Sequence, residues 1–160
     1  DVDGPDQAWA TNITYVRTWE GWLYLNVILD LFSRRVVGWS MADHMRTELA
    51  TNALRMALGH RVPERMLVHH SDRGSQYTSA DYQQKVTGYE MIASMSRTGN
   101  CLDNAPMESF WATLKRECAD HVFASRHDAR TAIFQYVMGF YNRRRPHSAL
   151  DYQVPTSRAA

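Results

Sequence analysis

Residues 21–41 read "GWLYLNVILDLFSRRVVGWSM". Two runs rich in aromatic and β-branched residues, "GWLYLNVILDL" and "RVVGWSM", flank the polar "FSRR", which is the pattern of a β-hairpin with Asp30 near its turn. Upstream, residues 8–15, "AWATNITY", alternate Trp9, Thr11, Ile13 and Tyr15 against Ala10, Asn12 and Thr14, as a short strand does. Asn12 is the misfit. Its amide competes for backbone hydrogen bonds, so Asn is depleted in strands. An edge strand or a turn accounts for it, and so does a polar ligand wanted at that position.

Downstream the period changes. "TELATNALRMALGHR" (47–61) combines good helix formers with Leu49, Leu54 and Leu58, and Pro63 stops it. "RMLVHHS" (65–71) is short and apolar, as a buried parallel strand is. Ser79 is placed to cap a helix running through Val86, and "EMIASM" (90–95) is a fifth strand. Three strands followed by alternating strand and helix predict an α/β fold with a mixed sheet, an antiparallel meander extended by parallel crossovers. The final third is helical. In "NAPMESFWATLKRECA" (104–119), Met107, Phe110, Trp111, Leu114 and Cys118 form an apolar stripe, with Asn104 as cap and Pro106 in the first turn. A second helical region, 127–143, ends before Pro146.

With 160 residues, 44% of them hydrophobic, the chain suits one ordered domain. No apolar run approaches the roughly 20 residues of a membrane span. Neither a signal-peptide pattern nor an initiating Met opens it, so the expectation is a domain from a longer, soluble protein. Cys101 and Cys118 form no C-x-x-C pair and are expected as reduced thiols; with His69 and His70 they lack familiar zinc spacing. A net charge of +1 does not announce a nucleic-acid binder. Charge is uneven, however: Arg143, Arg144 and Arg145 are consecutive, with His147 close behind. They read either as a solvated helix end or as a phosphate-facing patch.

Two carboxylates stand out. Asp72, in "HHSDRGSQYTS" (69–79), follows the carboxyl end of an apolar strand, where open α/β sheets bind ligands. An Asp opening a turn before Arg73-Gly74 has the same appearance. Glu108 falls in a helix's first turn, where the helix dipole alone favours an acid. Lys115 lies nearly two turns on, along the same face, and both sit roughly 80–100° around from the apolar stripe. That places them at the lip of the core. A carboxylate for a metal and a cation for a phosphate on one ridge suit a nucleic-acid enzyme.

Residues 9–155 resemble the catalytic domain of bacterial insertion-sequence transposases of the DDE type, related to retroviral integrases. The matching stretches are "GWLYLNVILDLFSRRVVGW", "HHSDRGSQYTS", "SMSRTGNCLDNAPMESFWATLK" and "FYNRRRPHSALDY". The family signature is Asp, Asp and Glu with thirty-five residues between the last two, which is the spacing of Asp72 and Glu108. The resemblance implies a ribonuclease-H-like fold, a mixed five-stranded sheet flanked by helices, with residues 1–8 a remnant or linker and 156–160 a tail. It puts the first Asp in the first strand, where this chain has Asn12. Thr98 and Asp151 are milder departures, at positions where a basic residue and Gly are frequent.

That resemblance implies metal-dependent cleavage at transposon ends followed by strand transfer, with Mg²⁺ or Mn²⁺, two ions in the active form, held by positions 12, 72 and 108. It implies DNA as partner, contacted by Lys115, Arg143, Arg144, Arg145 and His147, and a homo-oligomer in the synaptic complex. The expected setting is cytoplasmic and nucleoid-associated, with no membrane. Asn12 supplies an oxygen but no charge. One unit-charge pair at 4 Å is worth about 4 kcal/mol at an effective dielectric near 20, or about three decades, so this copy is expected to be nearly inert. The rival expectation is a DNA-binding or regulatory module of the same fold without catalysis.

Overall fold

The meander expected from residues 8–41 is present in the computed structural model, which describes residues 1–63, 66–96 and 105–159. Its strands are β1 (Ala8–Thr18), β2 (Gly21–Asp30) and β3 (Val36–Ala42). Next come α1 (Thr47–His60), β4 (Val68–Ser71), α2 (Ser75–Thr78), α3 (Ala80–Gly88) and β5 (Ile92–Met95). The helical third contains α4 (Ala105–Glu117), α5 (Arg126–Phe134) and a short α6 (Pro155–Arg158). Strand order is β3-β2-β1-β4-β5; β1–β2 and β2–β3 pair antiparallel, β1–β4 and β4–β5 parallel. β1 is therefore the central strand, and Asn12 pairs with Val27 of β2. Neither an edge nor a turn explains that Asn.

Alternation along β1 sorts its side chains into two cores. Trp9 and Ile13 pack with α1 and α3, while Ala10 and Val16 pack with α4 and α5. β2 is buried on both faces, with Leu23, Leu25, Val27 and Leu29 on the α4 side and Ile28 on the other, which is why it reads as a nearly unbroken apolar run. α1 crosses β3 so closely that a Cβ on Gly38 would lie 2.5 Å from the Ala53 carbonyl oxygen. No side chain fits there.

The expected caps and boundaries hold with local differences. Ser79 accepts the Tyr82 N–H at 3.3 Å and starts α3. Met66, read as part of the fourth strand, lies outside it at φ +69°. Within α4 only Met107, Phe110 and Leu114 are buried; Trp111 and Cys118 are half-buried at the margin. Asn104, Cys101 and Thr98 lie outside the described residues. The helix expected over 127–143 begins at Arg126, capped by Ser125, and widens into a π-helical stretch over Gln135–Tyr141. Its wide turns close with bonds such as Asn142 N–H to the Val137 carbonyl, 3.1 Å. Among the described residues no helix is long and apolar enough to cross a membrane.

Candidate active site

β1 and β4 pair in parallel as Ala8 with Val68, Trp9 with His69 and Ala10 with His70. Carried two residues further, the same register sets Asn12 level with Asp72, just past the end of β4 at Ser71. Adjacent strands are about 4.8 Å apart, so the two residues are neighbours across the sheet's open carboxyl edge. Asn12 shares the face of Ala10 and Val16, the side that α4 covers. Its Oδ1 accepts the N–H of Ile13 at 2.8 Å. Asp72 is oriented by the next turn, where Oδ1 accepts the Gly74 N–H at 2.7 Å. A Cβ on Gly74 would stand 2.9 Å from that same Oδ1, so a side chain there would push the carboxylate aside.

Helix α4 runs alongside β1 in the same direction. Ser109 and Phe110 border a cleft with Leu29, the partner of Ala10, while Lys115 Nζ donates to the Tyr15 carbonyl at 2.7 Å. Glu108 falls in the first turn of this helix, seven residues before Lys115. It is exposed, with no hydrogen bond or ion pair to another described residue.

The three expected positions offer one amide and two carboxylates. Among the described residues no three His, Cys, Asp or Glu side chains gather as a metal cluster. The oxygen-only donor set suits a hard divalent cation, with two negative charges in place of three. Beneath it lies a network that sequence reading missed. Thr11 Oγ1 and Tyr77 Oη both donate to Asn26 Oδ1, at 3.1 and 2.5 Å, all three side chains being buried. The signal available in the sequence was polar Thr11 and Asn26 at inward strand positions.

Lys115 sits where a groove lip was expected, in a hollow shared with Tyr15, Arg17, Trp22 and His121. Its ammonium lies 5.3 Å from the Tyr15 ring centroid. Burial against β1, and then Arg17, lower its pKa. It is tied to β1 and does not meet Glu108.

The basic segment divides. Arg143 and Arg144 are exposed. Arg145 grips Glu117, with Nε to both carboxylate oxygens at 2.9 and 3.0 Å and Nη2 to Oε2 at 2.7 Å. The His147 ring stands edge-on to Tyr141 at 4.8 Å, and burial, then Arg145 and Arg34, push its pKa down to about 4. The adjacent histidines point apart: His69 meets the Tyr82 hydroxyl in the core, whereas His70 reaches Ser94 and Ser96 at 2.9 and 3.1 Å.

Comparison with known proteins agrees with the fold. A family model described as "Integrase core domain" matches residues 2–101, and a second of the same description matches residues 89–155. The transposase InsF for insertion sequence IS3A of Escherichia coli (strain K12) is 51% identical over 149 residues, 92% of this chain. The 31 kDa protein of insertion element IS600 from Shigella sonnei is 50% identical over 154 residues, 96% of this chain. This chain spans only 51% and 57% of those two proteins.

Among solved structures, the integrase catalytic core of HTLV-2 in complex with magnesium, in its dimeric form, aligns with TM-score 0.63 at 17% identity, covering 98% of this chain and 96% of that one. The catalytic core of BIV integrase aligns with TM-score 0.68 at 14% identity, covering 95% and 92%. The sheet order, the helices on both faces and these matches lead to one conclusion: the chain belongs to the integrase core domain family and has its ribonuclease-H-like fold.

Proposed function

We propose that this domain is the catalytic core of a DDE-type transposase, whose reaction is metal-dependent cleavage of a transposon 3′ end followed by strand transfer. The observation that supports the reading is the β1–β4 register, which carries Asn12 of the central strand toward Asp72 at the end of β4, with Glu108 exposed in the first turn of α4. Asn12, Asp72 and Glu108 would hold Mg²⁺ or Mn²⁺, two ions in the active form. The ions supply charge stabilisation for the attacking and leaving oxygens at phosphorus. The chain's own contribution is to hold the Asp72 carboxylate through Gly74 and to present Glu108 exposed in the first turn of α4.

Asn12 weakens this set in two ways, through the missing charge and through an oxygen already engaged by the Ile13 N–H. The domain as it stands binds DNA and is impaired in cutting it. Lys115, Arg143, Arg144 and His147 face the DNA phosphates, with Arg145 behind them. Two or more copies bring two DNA ends together, in the cytoplasm at the nucleoid. The engaged Asn12 oxygen also favours a second reading, a DNA-binding module without catalysis.

A nicking assay separates the two readings, with end-bearing duplex and Mg²⁺ or Mn²⁺, in the full-length protein. Asn12→Asp is expected to restore cutting by about three decades over the Asn form. Binding that persists with no cutting in either form favours the module.

A further inference from the structure

A cleft of about 260 Å³ lies beside the candidate site, between the N-terminal half of α4, the β2–β3 turn and residues 147–149. Its polar walls are Arg34, Ser109, Thr113, Tyr141 and His147. Ser109 directly follows Glu108 on α4, about 100° further around the helix. It falls below the roughly 300–1,000 Å³ of small-molecule pockets and suits a single chemical group.

Three features ask for an anion. Arg34 lines the cleft and makes no ion pair or side-chain hydrogen bond with another described residue. Asp30, at the start of the same turn, is engaged by the Ser33 N–H, the Ser33 hydroxyl and the Asp6 N–H at 2.6–3.0 Å. Arg34 also holds a left-handed backbone, φ +62°, pinned by its N–H on the Asp30 carbonyl at 2.8 Å. A non-glycine residue is strained in that conformation, and such strain collects at ligand-gripping sites. The third feature is His147, whose Nε2 is buried without a partner among the described residues. With its pKa near 4 the ring is neutral at physiological pH, one N–H and one lone pair, beside two arginines.

We propose that this cleft binds one phosphate of the DNA backbone, with Arg34 as the charged grip and Ser109, Thr113 and His147 as further hydrogen-bonding groups. The proposal rests on the transposase reading, which supplies the DNA. A guanidinium with hydroxyl and imidazole donors matches a phosphate's acceptor oxygens, and charge-assisted bonds of this kind are the strong ones. The bound phosphate would fix the register of the strand that passes Glu108.

The test follows the His147 ring signals by NMR while inorganic phosphate, and then a short duplex, is added to the domain. Both are expected to shift the ring. Arg34→Gln should abolish the phosphate shift and reduce the logarithmic salt slope of duplex binding by about one unit. Thr113→Val, which leaves the strained turn untouched, should weaken phosphate binding severalfold and guards against misfolding of the first variant. A duplex that binds without moving His147, and with an unchanged slope in Arg34→Gln, overturns the cleft and leaves the transposase reading standing. A response to inorganic phosphate alone makes it a free-anion site and also overturns the proposal. Failure of the unmodified domain to bind any duplex sinks both readings together.

Discussion

Arg145 reaches back 28 residues to clasp both oxygens of Glu117, in the last turn of the helix whose first turn presents Glu108. The Tyr136 hydroxyl donates to the same carboxylate at 2.9 Å. The "RRRPH" segment is thereby fastened to α4 through Arg145, while Arg143 and Arg144 stay exposed.

Arg145→Gln is expected to cost about 1 kcal/mol of stability, at the upper end for a partly exposed pair because the contact is two-pronged. The Arg145 bonds hold the Glu117 carboxyl below its usual range. The pair's contribution is therefore complete above the ordinary carboxylate pKa and disappears as pH falls through the lowered one. Melting curves at pH 7 and pH 3 should show the variant catching up with the parent in acid. Neutralising Arg143 and Arg144 should leave melting unchanged and flatten the salt slope of duplex binding by roughly one to two units. Equal slopes would remove them from the DNA surface.

His69 predicts acid sensitivity. Burial, and then His70, push its pKa down to about 4, from 6.5 in a free side chain. Between those values the unfolded chain binds a proton that the native core refuses, so stability is full above pH 6.5 and falls as pH drops toward 4. The total is about 3 kcal/mol. Urea titrations of the parent and His69→Gln from pH 7 to 4.5 should show a shallower pH slope in the variant; parallel slopes would exclude His69 as the source.

Lys115→Ala should weaken duplex binding and also lower the melting temperature by a few degrees, because Nζ holds the Tyr15 carbonyl on the central strand. Lys115→Arg is expected to recover most of both. Full DNA affinity in the Ala variant, with a lower melting temperature, would assign the residue to structure alone.

Asn12→Asp should raise Mn²⁺ affinity by up to about three decades, read by isothermal titration in the isolated domain. Carboxylate removal at Asp72 or Glu108 should then abolish the gain. The same affinity in Asn and Asp forms would mean that position 12 does not face the ion.

Periodicity and turn chemistry were enough to read the hairpin, the helix ended by Pro63, the Ser79 cap and the switch to a parallel strand, because those features depend on neighbours in the chain. The thirty-five-residue spacing and the motif around Asn12 likewise pointed to candidate site residues through a resemblance, without geometry. The boundaries of that reading were local. Trp111 and Cys118 belonged to the stripe by spacing, yet only a packed core shows which side of a stripe is covered.

What tertiary structure alone decided was which polar groups find each other across long separations. Asn142 returns 106 residues to Val36, accepting its N–H at 2.9 Å and donating to its carbonyl at 3.1 Å, so that an amide completes the pairing of an edge strand. The π-helical widening before Asn142 sets that reach, and no side-chain period announces it. Arg145 finds Glu117 and Asn12 comes level with Asp72 for the same physical reason. Sequence records the chemistry each side chain offers, but the partner is chosen by the shape into which the whole chain packs.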